Sequence, residues 1–261
     1  MRLTRIDLNS WIFQIAEKTI LVDPWLVDPL EFYGLPWLYT AYHNTPLAFT
    51  PDTLPGIDLI LLSQGVDDHC HKPTLQRLDH SIPVVASPTA AKVVRSLGYQ
   101  SVTELSHWQK VEFDQTLQIT SVLGAEIQPG QVENGYLLRD LVTGATLYYE
   151  PHQAPMQELA AKIGSVDVAI APVIGQIFPL LGQVIMGPEQ AIQLVETVKP
   201  RYFLPTTMGD IRTSGLLPML IKSVGSVEEF RDRLSTSGLS TQLIVPFPGE
   251  TLELTFSQQQ G

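Results

Sequence analysis

The sequence predicts an α/β protein in which two mixed β-sheets lie together with helices outside them. Three observations point there. The run Leu59-Ile60-Leu61-Leu62 is continuously apolar, as a strand buried on both faces is, and it breaks near Gly65 into Asp67-Asp68-His69-Cys70-His71. The chain alternates twice between short strands alone and strand–helix units, an order that fits sheets covered by helices. No linker separates the two halves, so residues 1–261 are expected to form a single domain.

The elements follow in order. Arg2 to Asp7, Trp11 to Ile15 and Thr19 to Val22 read as strands, with turns at Asn9-Ser10 and Glu17-Lys18. Asp23-Pro24-Trp25 stops the third. Residues 25–56 are rich in Pro and aromatics and have no clean period. Such a stretch is either a satellite hydrophobic cluster covering a sheet edge or a lid facing a substrate. After the apolar strand, Lys72 to Asp79 reads as a helix and Pro83 to Ala86 as a buried strand. Ser87 is an N-cap with Pro88 at the first helical position, and Gly98 ends that helix. Strand-like pieces follow at 101–104, 111–113, 117–122, 135–139 and 145–149. Helices at Gln157 to Ile163, Pro188 to Val198 and Val227 to Leu234 then alternate with strands at Val166 to Ala171, Tyr202 to Leu204, Gln242 to Val245 and Thr251 to Phe256. Gly182 to Gly187 reads as a loop.

Composition narrows the function classes. With 44% hydrophobic and 16% charged residues the chain builds a large core without disulfides, and Cys70 is its only cysteine. A formal net charge of −11 argues against nucleic acid as a general partner. No apolar run approaches the ~20 residues of a membrane span, and Met1 to Asp7 alternates like a strand instead of forming a signal-peptide core. The expected location is cytoplasmic and the expected partner a small-molecule substrate or ligand. No nucleophile elbow, phosphate loop or dinucleotide fingerprint appears at a strand–helix junction.

The chemistry concentrates after the central strand. A strand ending in Asp and His is where an α/β protein commonly builds a metal site. Taken singly, Asp67 reads as a cap or an acceptor of loop amides, His71 as a surface residue at the helix start, and Cys70 as a buried thiol. His43, His80 and His107 have no ligand-type neighbours in sequence and read as structural.

Four stretches taken together resemble a known family. They are Thr19-Ile20-Leu21-Val22-Asp23-Pro24-Trp25, the central strand with Asp68-His69, Met186-Gly187-Pro188-Glu189-Gln190-Ala191, and Lys199 to Thr206. The family is the metallo-β-lactamase fold superfamily, in its branch of lactonase-like metal-dependent hydrolases. The resemblance implies a four-layer αββα sandwich spanning residues 1–261. It places Asp68 and His69 on the family's His-x-His-x-Asp-His motif, with Gln64 and Val66 where the first two histidines fall. Glu126 is nearest the next ligand position, Glu150 and His152 lie near the bridging aspartate, and Thr206 or Thr207 takes the place of the final histidine. Asp23 would be buried and orient a ligand. Asp68, His69, Glu150 and Thr206 are expected at one rim. The implied metal ligands are Asp68, His69, Glu150 and His152, with Asp68 and Glu150 as catalytic groups. Gln64 offers one neutral oxygen and Val66 none, so the implied site is reduced to at most a single metal; acid and imidazole suit zinc, iron or manganese, and zinc is the expected cofactor. The eroded motif resembles a branch found in cyanobacteria and plants. The implied function is hydrolysis of an ester, lactone or phosphoester; the alternative is a family member without catalysis that binds a small ligand or a protein partner through the same cleft.

Overall fold

The structure is a computed structural model that describes residues 1–128, 131–179 and 181–256, with side chains except at residues 125–128 and 131. One seven-stranded sheet runs in the order Thr251–Glu253, Arg2–Asp7, Ser10–Ile15, Lys18–Val22, Leu59–Leu62, Val84–Ala86 and Val102–Glu104. The other runs Gln242–Leu243, Tyr202–Thr206, Val168–Pro172, Thr146–Tyr149, Gln131–Asp140, Leu117–Gln128 and Lys110–Phe113. Each begins as an antiparallel meander and continues as parallel strands. The chain's first and last described strands pair, with Arg2 opposite Glu253.

Strand alternation sends successive side chains to opposite faces, and this divides the apolar residues among layers. Phe13, Val22, Leu61, Ile119, Tyr136, Tyr149, Ile170 and Leu204 fill the space between the sheets. Ile12, Leu21, Ile60 and Leu62 face outward, under Ala90, Ala91 and Val94 of the helix Pro88–Ser96. On the other side Tyr148, Ala169 and Phe203 lie under the helices Met156–Lys162, Pro188–Val198 and Val227–Thr236. The layers are therefore helix, sheet, sheet, helix. The predicted cap is present: the Ser87 hydroxyl accepts from the Ala90 amide, and Gly98 follows with φ +94°. Among the described residues no helix is long and apolar enough to cross a membrane.

Three local features differ from the sequence reading. The helix expected over Lys72 to Asp79 forms only at Lys72–Leu75. His80 Nε2 and the Tyr99 hydroxyl both lie on the Leu75 carbonyl, at 3.2 and 2.9 Å, so side chains from beyond the helix cap its last turn. Residues 25–56 contain short strands, Leu30–Glu31 and Thr40–His43, and the second pairs with Ile211–Ser214. Trp25, Leu30 and Ala41 make a small satellite core there, while Tyr33 and Trp37 stand 62% and 63% exposed. Finally, Gly182–Ile185 is not a loop but pairs with Gly175–Phe178 in a small sheet completed by Lys222–Val224.

The two large sheets are also joined by polar bonds at one edge. The Tyr136 hydroxyl donates to the Leu62 carbonyl at 2.9 Å, and the Asn134 amide to the Ser63 carbonyl at 3.2 Å. Tyr136→Phe leaves the packing and removes the bond. We expect it to cost about 1–2 kcal/mol, read as a lower midpoint at unchanged slope in urea unfolding.

Candidate metal centre

Beyond Leu62 the chain turns sharply. Gly65 passes so close to Thr89 that a Cβ there would lie 2.8 Å from the threonine side chain. The amides of His69 and Cys70 both donate to the Val66 carbonyl, at 3.0 and 2.8 Å, and this turn aims His69 back beneath the sheet edge. His69 is fully buried. Its Nδ1 lies 2.8 Å from Asp23 Oδ2, and its Nε2 lies 3.3 Å from Asp68 Oδ2 and 3.2 Å from Asn9 Nδ2.

Asp23 fixes this arrangement. It stands at the end of Lys18–Val22 with φ +41°, a left-handed conformation that aspartate tolerates better than most residues. Its carboxylate receives the Ser63 amide at 2.8 Å, the Ser63 hydroxyl at 2.5 Å, His69 Nδ1 and the Tyr149 hydroxyl at 2.7 Å. An imidazole held at Nδ1 by a carboxylate presents Nε2 to whatever lies in front of it, as metal-ligating histidines do.

His152 completes the group from the second sheet. Its amide donates to Glu150 Oε1 at 2.9 Å, its carbonyl receives the Met186 amide at 2.9 Å, and its Nδ1 meets the Gln64 amide nitrogen. The rings of His69 and His152 have centroids 4.9 Å apart. One ligand atom each from Asp68, His69 and His152 lies within 4.8 Å of the others. Zinc bonds of ~2.0–2.1 Å set tetrahedral ligand atoms roughly 3.3 Å apart, so the trio would close by at most about 1.5 Å around an ion.

The electrostatics suit a cation. Burial alone would push His69 down, but Asp68 and Asp23 outweigh it and hold the imidazole up to about 10. Asp68 is drawn below the usual carboxylate range, burial opposing and His69 prevailing. Burial and His69 together push His152 down to about 3, which leaves it neutral with a lone pair to offer. The metal-free protein thus keeps a proton on His69 between two carboxylates, in the place a metal ion would neutralise. A buried orphan fits as well: Gln64 Oε1 has no partner. Half a turn of that amide brings the oxygen to His152 Nδ1, where it accepts a proton and leaves Nε2 free as a ligand.

Of the residues singled out from sequence, Asp68, His69 and His152 come together, and Glu150 stands beside them. Its Oε1 holds the His152 amide, and its Oε2 is buried without a partner, in the space that a Cβ on Gly135 would fill at 2.6 Å. Burial pushes Glu150 up to about 8, the His152 amide opposing. Thr206 receives the Trp11 indole at 2.9 Å and donates to the Leu8 carbonyl at 3.1 Å, next to Asn9, and Thr207 donates to the Pro151 carbonyl at 2.7 Å. Those bonds bring the late strand to the same rim. Val66 is half-buried, and the side chain of Glu126 falls outside the described residues.

His71 is not on the surface as expected. It is buried, with Nδ1 2.9 Å from the Thr74 hydroxyl and Nε2 3.2 Å from the Pro29 carbonyl, because residues 25–56 fold over it. Asp67 accepts the Tyr33 amide at 2.7 Å, and Cys70 is a buried free thiol. His43 is bound to Asp28 at 2.7 Å and stacks on Trp25. The sequence reading missed Asn9, Ser63 and Tyr149; each carries a polar group at a strand end, which was the available signal.

Comparisons with known proteins agree with this fold. Residues 2–207 match the family model described as Beta-lactamase superfamily domain. The chain belongs to that superfamily, and its fold is the metallo-β-lactamase fold. A metal-dependent hydrolase of Aeropyrum pernix is 25% identical, over 98% of this chain and 99% of the relative. Among solved structures, an isothiocyanate hydrolase from Delia radicum gut bacteria superposes with a TM-score of 0.76 at 18% identity, over 98% of this chain and 100% of that one. A possible metal-dependent hydrolase from Veillonella parvula gives 0.74 at 17% identity, over 97% and 99%.

Asp23→Asn tests the orienting bond. It removes the acceptor of His69 Nδ1 and leaves a buried donor against Ser63. We expect a loss of about 3–5 kcal/mol in unfolding and, in protein that still folds, metal affinity about 10–100-fold weaker, read by titration with a chromophoric competitor.

Proposed function

We propose that this chain is a metal-dependent hydrolase with a single-metal centre held by Asp68, His69 and His152, acting on a small-molecule ester, lactone or phosphoester. The observation that carries the reading is the convergence of one carboxylate and two imidazoles within 4.8 Å of one another. Two imidazoles and a carboxylate form a ligand set used by catalytic zinc and by non-haem iron, with coordination left open for water or substrate. Zinc is our first choice. When bound, the metal supplies Lewis acidity and lowers the pKa of water. The protein's own groups do the rest. Asp23 holds His69 in the ligating tautomer, Asp68 brings a carboxylate to the front of the site, and Glu150 fixes the amide of His152. The metal-dependent hydrolase of Aeropyrum pernix, similar along its whole length, supports the activity class. On the same reading the chain belongs to the lactonase-like branch, from its four family-like stretches, and is a single cytoplasmic domain; the Gln64 and Asp67-Asp68-His69-Cys70-His71 pattern supports a cyanobacterial or plant type.

Elemental analysis of protein purified without chelator should find about one metal per chain, and His152→Ala should abolish it. Two tightly held metals per chain would refute the reduced site. A panel of p-nitrophenyl esters, lactones and phosphodiesters should give hydrolysis that stops with chelator and returns with metal; a metal-loaded protein inert across the panel would favour the binding role over catalysis. Gln64→His places a third imidazole beside His152 and should tighten zinc about tenfold.

A further inference from the structure

We propose that Asn9 is a fourth protein ligand of the metal centre, through its side-chain oxygen. The inference rests on the centre of Asp68, His69 and His152 and adds to it a residue that no ligand motif marks. Asn9 is fully buried at the turn before strand Ser10–Ile15. Its Nδ2 lies 3.2 Å from His69 Nε2, the imidazole nitrogen left to the site because Nδ1 is held by Asp23. Asp68 Oδ2 lies 3.3 Å from the same nitrogen. Tetrahedral zinc sets its ligand atoms roughly 3.3 Å apart, so the Asn9 amide already stands one ligand spacing from His69, as Asp68 does.

The amide is only half-satisfied. Its Oδ1 is buried without a partner, and an unpaired buried polar atom is costly. Half a turn about the last side-chain bond exchanges the two ends of the amide. Oδ1 has no donor where it now stands, so the occupant of His69 Nε2 decides which end faces it. A lone pair on Nε2 takes an amide hydrogen. A cation bonded to Nε2 repels that hydrogen and draws the oxygen. Carbonyl oxygen is a neutral ligand suited to hard divalent ions. Catalytic zinc accepts a fifth group, so a place for water or substrate is kept.

The turn that carries Asn9 is held from three sides. The Tyr149 hydroxyl, 2.7 Å from Asp23 Oδ2, also lies 3.1 Å from the Asn9 carbonyl. The Leu8 carbonyl receives the Thr206 hydroxyl at 3.1 Å and the Thr207 amide at 3.2 Å. The Ser10 hydroxyl donates to the Asp23 carbonyl at 2.8 Å and accepts the Trp25 amide at 2.9 Å. Asn9 is thus fixed by residues that also fix Asp23, and through Asp23 they fix His69. A ligand supported in this way is preorganised, and an ion has only to turn the amide.

The test is competitive titration of zinc against a chromophoric chelator, with the parent, Asn9→Leu and Asn9→Asp, together with absorption spectra of cobalt-loaded Asn9→Cys. Asn9→Leu keeps the size and removes the oxygen, and zinc affinity should fall about tenfold or more. Asn9→Asp puts a charge on the oxygen. It should tighten zinc while lowering the thermal midpoint in chelator, because a further carboxylate then joins Asp23 and Asp68 around His69. Asn9→Cys offers a thiolate at the ligand position and should give a near-ultraviolet thiolate-to-cobalt band. The cobalt-loaded parent should lack that band, since its one cysteine, Cys70, is buried outside the ligand group. A residue that only packs beside His69 would not produce it. Should Asn9→Leu fail to fold, the Asn9→Cys spectrum decides. Equal zinc affinity of the parent and folded Asn9→Leu, or cobalt-loaded Asn9→Cys without the band, would overturn the proposal and leave the three-ligand centre standing. A parent that binds no metal would overturn the centre itself, and this ligand with it.

Discussion

The structure depends on one buried carboxylate. Asp23 is fully buried and takes four donors, from the central strand's end, from the loop that follows it and from the opposite sheet. A carboxylate without partners in such a place would be costly enough to protonate or to stay unfolded. With four partners it becomes a fixed point that requires both sheets to be in register. Tyr149 reaches it only if the second sheet is docked, and Ser63 reaches it only if Leu59–Leu62 is paired beside Lys18–Val22. The orientation of His69 is therefore a property of the assembled sandwich and not of the local loop.

This explains which parts of the protein were legible in its sequence. Strands whose periodicity reflects burial were readable, as was the helix that starts at Ser87-Pro88, because those signals are local. Asp68 and His69 stood out as chemistry beyond a buried run, and His152 as a ligand type beyond a strand. The short helix at Lys72–Leu75 was not legible, since His80 and Tyr99 end it by taking a carbonyl across a fold. His71 looked like a surface residue because nothing in its neighbourhood announces that residues 25–56 will cover it. Glu150 was grouped with His152 by proximity in sequence. Strand alternation instead gives it the face of Tyr148, which lies in the helix-side core, while Tyr149 lies between the sheets.

The neutral amide of Gln64 is coherent with the charges that surround it. With a divalent ion bound and His69 and His152 neutral, Asp23 and Asp68 would balance its charge, while burial pushes Glu150 up to about 8. A second divalent ion would need further anionic ligands, and the amide of Gln64 adds no charge. Its contact with His152 instead fixes a tautomer, the task that Asp23 performs for His69. The two imidazoles are thus oriented differently, one by an anion and one by a neutral amide, and Asp68, the anion that faces them both, leaves the centre asymmetric.

The polarity of the whole molecule follows from its topology. The parallel strands of both sheets point the same way, so residues just after strands gather at one rim and residues just before them at the other. Asp23, Asp68 and Glu150 follow strands, and Lys18 and Arg201 begin or precede them. Ligand sites of open α/β sheets collect beyond the carboxyl ends of strands, and here that rim carries the acids and imidazoles a cation requires. The other rim consists of hairpin turns and strand starts, and the buried apolar layer between Phe13, Ile119, Ile170 and Leu204 separates it from the centre, so changes there leave the acids and imidazoles in place.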